Sequence, residues 1–198
     1  MLTSATATTD WNWDRRGDSI VLDGLTATMP TRKKITPQLI TGGPTMEEGI
    51  HYWEVRVSGY YDPFFTGLIG VARPGLDHNQ GNHDEDGAYY ISSSGSHYGG
   101  GKWNADVQED LIQQGDRIGC LLDLCAGSLR FYRNGAPYGL GFPAGSMAGP
   151  LVRAVELRSA GDSVNALPEA IPEVCMLGDD VGTSHDDEPC STKKARVC

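Results

Sequence analysis

Between Gly115 and Gly139 the chain reads GDRIGCLLDLCAGSLRFYRNGAPYG, and few folds can accept such a stretch. Apolar residues alternate with others, a short turn interrupts, and the alternation resumes before Asn134-Gly135. Period-two alternation suits a strand with one buried face, because successive side chains point to opposite sides. Ile118, Cys120, Leu122 and Leu124 share one face, and Leu129 and Phe131 share a face on the return. The segment CAG, with Gly127, turns the chain once. Asn134-Gly135 turns it again, since both residues accept positive φ. The stretch predicts a three-strand meander with one apolar side.

Similar short runs recur along the chain: DSIVLDG, LTATM, HYWEVRV, TGLIGVA, AYYISSS, PLVRAVEL and DSVNAL. In HYWEVRV, Trp53, Val55 and Val57 point one way and Tyr52, Glu54 and Arg56 the other, as a half-buried strand requires. No apolar stripe of helical period persists over three turns, and no internal repeat is present. The 26 glycines and 11 prolines favour turns over long helices. Many short antiparallel strands without helices predict an all-β fold, two sheets packed face to face as a β-sandwich of jelly-roll or concanavalin-like type. Such a platform leaves its loops free for function. Trp11 and Trp13 precede the first expected strand and, if extended, share a side. They are expected to cover a sandwich edge, with contact to a partner as the second reading.

The expected domain covers residues 11–168 of 198, with a flexible N-terminus over 1–10 and a disordered acidic tail over 169–198 that holds GDDVGTSHDDEPC. The net charge of -10 opposes the counterion displacement that nucleic-acid binding needs. Five cysteines, an odd number without CxxC spacing, fit a reducing, intracellular setting. No secretory signal or bilayer-spanning run is apparent, so a cytoplasmic location without membrane insertion is expected. The nucleus is the alternative, on the short basic cluster Lys193-Lys194-Ala195-Arg196, although so short a cluster reads more readily as a solvated end.

GIHYWEVRV, GLIGVA, GDRIGCLLDLCAGSLRFYRNGAPYG and GPLVRAVEL stand in the order found in SPRY domains, and the chain resembles that family from about Ser19 to Leu167. The resemblance implies a bent antiparallel β-sandwich that binds a protein or a short linear peptide with its loops, without catalysis and without a cofactor. It also fits an adaptor or a subunit of a larger assembly, such as a ubiquitin ligase. In the SOCS-box adaptors of the family, three places grip the peptide. Here they correspond to Arg32 and Lys33, to the loop from Tyr60 to Thr66 with Tyr61, Phe64 and Phe65, and to Glu156, Leu157 and Arg158. Aromatic rings anchor interfaces because they give large contact area at small rotamer cost, although the same rings can fold back onto the core. Two departures count. Gly87 and Glu156 stand where those adaptors carry an anchoring Tyr and Trp, so their peptide specificity is not carried over. The tail also lacks the amphipathic helices of a SOCS box.

Competing chemistries are weaker. Asn82, Asp84 and Asp86 before Gly87 resemble the first half of a calcium loop, but Ser93 falls where a bidentate Glu is needed. This motif supports the alternative of a lectin-like sandwich binding carbohydrate or calcium. His78 and His83 lie five apart with no nearby Cys, a poor zinc pattern. Ser94, Ser96 and His97 suggest a nucleophile and base, but Ser96 and His97 should diverge if they sit on one strand. Gly101-Lys102 lacks the spacing and the following Ser/Thr of a phosphate loop.

Overall fold

The computed structural model describes residues 6–7, 11–30, 36–58, 66–83, 85–100, 102–104 and 111–167. Its strands are β1 (Thr6–Ala7), β2 (Trp13–Arg16), β3 (Val21–Asp23), β4 (Thr26–Thr28), β5 (Gln38–Met46), β6 (Ile50–Ser58), β7 (Leu68–Ala72), β8 (Ala88–Ser92), β9 (His97–Gly99), β10 (Lys102–Asn104), β11 (Arg117–Asp123), β12 (Ser128–Arg133), β13 (Ala136–Pro137), β14 (Leu151–Leu157) and β15 (Ser163–Leu167). They form two sheets. The first runs β13-β12-β11-β6-β15-β4-β3, with β1 added parallel to β6; the second runs β10-β9-β8-β7-β14-β5-β2. Among the described residues no helix is long and apolar enough to cross a membrane.

The ribbon from Gly115 forms the expected meander of β11, β12 and β13. Asp123 Oδ1 accepts the N–H groups of Cys125 and Ala126, both at 2.9 Å, and closes the first turn. Asn134 (φ 53°) and Gly135 (φ 87°) make the second. A branched side chain resists that left-handed backbone, so Gly135→Val is expected to lower unfolding free energy by about 1–2 kcal/mol, read from urea denaturation. Ile118, Cys120, Leu122, Leu129 and Phe131 all sink into the space between the sheets, with Leu124 only partly buried beyond the strand end.

The core between the sheets also holds Trp53, Val55 and Val57, as the alternation in β6 predicts. The opposite face of β6 differs from the expectation of half-burial. Tyr52 and Glu54 are buried as well, and the Tyr52 hydroxyl donates to Glu54 Oε1 at 2.5 Å. Trp11 and Trp13 are core residues rather than an edge cover. Their rings meet edge-on at 5.0 Å, and Trp13 Nε1 donates to the Leu25 carbonyl at 2.9 Å.

A second, smaller apolar cluster lies on the outer face of the second sheet. Leu39, Leu68, Ala72, Ala88, Tyr90 and Ala154 form it, with Leu76 and Tyr98 packed against them. Leu76 belongs to the long β7–β8 connection, which lies over this face as a thin third layer. That layer brings polar side chains to two places on the sheet, discussed below.

Candidate functional site

Strand register gathers several strand ends at one end of the sandwich. Leu157 at the end of β14 pairs with Gln38 at the start of β5, and Glu156 pairs with Leu68 at the start of β7. In the other sheet, Ser163 at the start of β15 pairs with both Thr28 and Ser58, the last residues of β4 and β6. The chain therefore enters the segments 31–35 and 59–65 from this end, and the turn at 158–162 belongs to the same end.

Asp162 holds these entries together. Its buried carboxylate accepts from Thr66 Oγ1 (2.8 Å), from the Arg158 N–H (3.1 Å) and from the Ser159 N–H (2.9 Å). Bonds to an ionised carboxylate are the stronger kind, and several converge on one group here. The backbone adds a reciprocal pair: Met29 N–H donates to the Asp162 carbonyl and Gly161 N–H to the Met29 carbonyl, each at 2.8 Å. One turn thus fixes the described flanks of both loop segments. Sequence reasoning passed over Asp162; the signal available was a Gly-Asp pair in SAGDS before the last strand.

Beside this turn, Glu156 sits on the outer face of the second sheet at 0% exposure. Its Oε2 accepts the Asn82 N–H at 2.7 Å. Its Oε1 lies 3.2 Å from His83 Nδ1 and 3.4 Å from Arg158 Nε. Burial, and then the Glu156 charge, push the phenol of the neighbouring Tyr90 well above its ordinary pKa. The His83 ring meets Tyr98 edge-on at 5.7 Å. Glu156 is therefore a concealed node. It pins the β7–β8 connection from below and holds Arg158, 32% exposed, at the surface.

Residues 50–168 match the model of the SPRY domain. The chain belongs to the SPRY family. Members of this family generally serve as protein–protein interaction modules and are generally non-catalytic. The fold is similar to the SPRY domain of human HERC1, at 20% identity and a TM-score of 0.64, covering 79% of this chain and 97% of that one. It is similar to the TRIM65 PSpry domain at 18% identity and a TM-score of 0.60, covering 79% and 90%. It is also similar to stonustoxin, at 18% identity and a TM-score of 0.59, with 79% of this chain matched to 27% of that one. At such identities these likenesses speak for the fold alone.

Against this SPRY framework the residues expected at the binding surface separate into three groups. Thr66 and Arg158 meet through Asp162, as described. Glu156 and Leu157 require correction as contact residues: Leu157 points into the core between the sheets, and Glu156 lies beneath His83 and Arg158, so neither can touch a partner directly. Arg32, Lys33, Tyr60, Tyr61, Phe64 and Phe65 lie outside the described residues.

Of the weak calcium motif, Asn82 and Asp86 fall within the described residues. Asn82 is turned inward, its Nδ2 donating to the carbonyls of Asp77 (2.8 Å) and Gln80 (2.9 Å). It locks the loop and contributes no outward ligand, Asp86 is exposed, and Asp84 lies outside the described residues. Among the described residues no group of three or more His, Cys, Asp or Glu side chains is placed to hold a metal ion. Ser96 is buried at a hydroxyl ladder, 3.2 Å from Ser94 Oγ. His97 Nε2 accepts the Gly141 N–H at 3.0 Å, and its ring stacks on Phe131. Both residues support the turn that carries them.

Proposed function

We propose that this SPRY domain binds a peptide segment or the surface of a folded protein with the end of the sandwich organised by Asp162. The observation that carries the reading is the set of bonds from one buried carboxylate to Thr66, Arg158 and Ser159, beside Arg158 at the surface. A turn held this firmly offers a stiff base on which loops can present contact groups without a large loss of freedom on binding. The aromatic sequence GYYDPFFTG leads directly into it and supplies the anchors. With Glu156 replacing the Trp of the peptide-gripping adaptors, the surface offers Arg158 and His83 where an aromatic would otherwise stand. An acidic or hydrogen-bonding ligand suits it better than an apolar one. The module acts as an adaptor or a subunit of a larger assembly in the cytoplasm.

The test is capture of binding proteins by immobilised full-length chain and by a Tyr61→Ala/Phe64→Ala variant, with circular dichroism reporting the fold. The expected result is an unchanged fold and loss of the captured protein. A variant that unfolds would place these rings in the core, and a folded variant that still captures the same protein would remove them from the interface.

A further inference from the structure

At the other end of the β7–β8 connection a cavity of about 190 Å³ opens on the outer face of the second sheet. Asp14 and Arg15 of edge strand β2, Thr41 and Thr45 of β5, and Arg73 and His78 of the connection all line it. Its walls are tied to one another. Leu39 N–H donates to the His78 carbonyl at 3.0 Å, and Asp18 N–H donates to Asn79 Oδ1 at 2.7 Å. Thr41 Oγ1 lies 3.0 Å from His78 Nε2, and Arg73 N–H donates to the Gly87 carbonyl at 2.8 Å. The cavity is thus pre-formed, as small-ligand sites usually are.

Its charges are unspent. Arg16, Arg117, Arg133 and Arg158 each bond a carbonyl or a carboxylate. The guanidinium groups of Arg15 and Arg73 have no hydrogen-bond or ion-pair partner among the described residues. Two guanidiniums against the one carboxylate of Asp14 leave a net positive wall on a chain of net charge -10. Burial, and then the charge of Arg15, hold His78 below its ordinary pKa, against an opposing pull from Asp77 and the Leu76 backbone. The ring therefore already senses positive charge in this cavity.

We propose that the cavity binds a phosphate monoester group. Two arginines and two threonines line the cavity from three different elements. A tetrahedral oxyanion presents acceptors in that many directions, whereas a planar carboxylate is satisfied by one fork. An anion seated here favours the charged imidazole, so it raises the pKa of His78, and by linkage binding strengthens as pH falls through the range where His78 takes up its proton. Asp14 faces the same space and weakens binding. The site is separate from the loop end, so its failure leaves the proposed interaction surface untouched, and the reverse also holds.

The experiment follows the His78 ring by NMR while full-length chain is titrated at millimolar concentrations with inorganic phosphate, a short phosphoserine peptide, the same peptide unphosphorylated, and acetate. Both phosphate probes are expected to shift His78 and raise its pKa, while acetate and the plain peptide do neither. Arg15→Ala and Arg73→Ala each weaken phosphate binding about tenfold, and Asp14→Asn strengthens it about threefold. Tighter binding of the phosphopeptide assigns the group to a protein side chain; equal or weaker binding assigns it to a free small molecule. An unmoved His78 resonance, an equal response to acetate, or full binding by a folded Arg15→Ala/Arg73→Ala variant would overturn the proposal.

Discussion

Replacing Arg153 with Met is expected to stabilise the domain by about 1–2 kcal/mol, although it deletes a fully buried cation from the middle of the core. Arg153 has no exposed surface, and none of its three guanidinium nitrogens has a hydrogen-bond partner among the described residues. The group lies between two rings, its Cζ 5.4 Å from the centroids of both Trp11 and Trp53. Gly43 makes the space for it; a Cβ there would come within 2.6 Å of Nη1. Burial brings the guanidinium down from its ordinary value to about 10. At about 1.4 kcal/mol per pKa unit, that is a cost of about 3 kcal/mol at neutral pH. The two cation–π contacts return part of it, each about 1 kcal/mol. Met keeps much of the volume and needs no partner.

The pH dependence has a definite sign. A cation whose folded pKa is depressed penalises the fold throughout the range below that pKa. The penalty fades as pH rises above about 10 towards the ordinary guanidinium value. Urea denaturation should therefore show the Met variant ahead of the parent at pH 7, with the gap narrowing above pH 10. A variant less stable than the parent at pH 7 would mean that the aromatic sandwich outweighs the desolvation.

Asp162→Ala is expected to act in the opposite direction, lowering stability by about 2–4 kcal/mol. The substitution strips one acceptor group from Thr66 Oγ1 and the N–H groups of Arg158 and Ser159, and leaves donors in a sheltered turn without it. The backbone bonds to Met29 persist, so the β15–β4 pairing should survive. Asp162→Asn keeps the shape and one acceptor oxygen, and should lose about 1 kcal/mol. Thermal or urea denaturation reads both. If Asp162→Ala matched the parent, the turn would owe its form to the backbone alone, and the organised loop end would lose its keystone.

Much of this architecture is legible in the chain because burial on one face writes itself as alternation. Ile118, Cys120 and Leu122, then Trp53, Val55 and Val57, declare their face without help. Asn134-Gly135 declares its turn, because few residues tolerate two positive φ values in succession. Strand β5 was harder to see. Its QLITGGPTM contains Gly-Gly-Pro, which normally marks a loop. The structure needs Gly42 because a Cβ would strike the carbonyl of Asn12 on the neighbouring edge, and Gly43 bends the strand at φ 70°. Tyr52 and Glu54 misled for a related reason: a polar residue reads as solvated unless its partners are known, and those of Glu54 are the Tyr52 hydroxyl and Arg117.

At the candidate site, sequence spacing could bring the three segments into view but could not order them in depth. Leu157 and Glu156 occupy the right place along the chain, one facing the core and the other beneath the β7–β8 connection. Only Arg158 of the three reaches the surface. The Gly-Asp pair marks Asp162 only faintly, because its role depends on Thr66, which lies ninety-six residues away.

The most direct measurement is hydrogen exchange of the full chain alone and bound to a captured protein. The account predicts slowed exchange in residues 31–35 and 59–66 and in the 158–161 turn, with little change at the distant turn over 124–127 that joins β11 to β12 at the Ile50 end of β6. Protection confined to that distant end, with the loop end exchanging as freely as before, would contradict it.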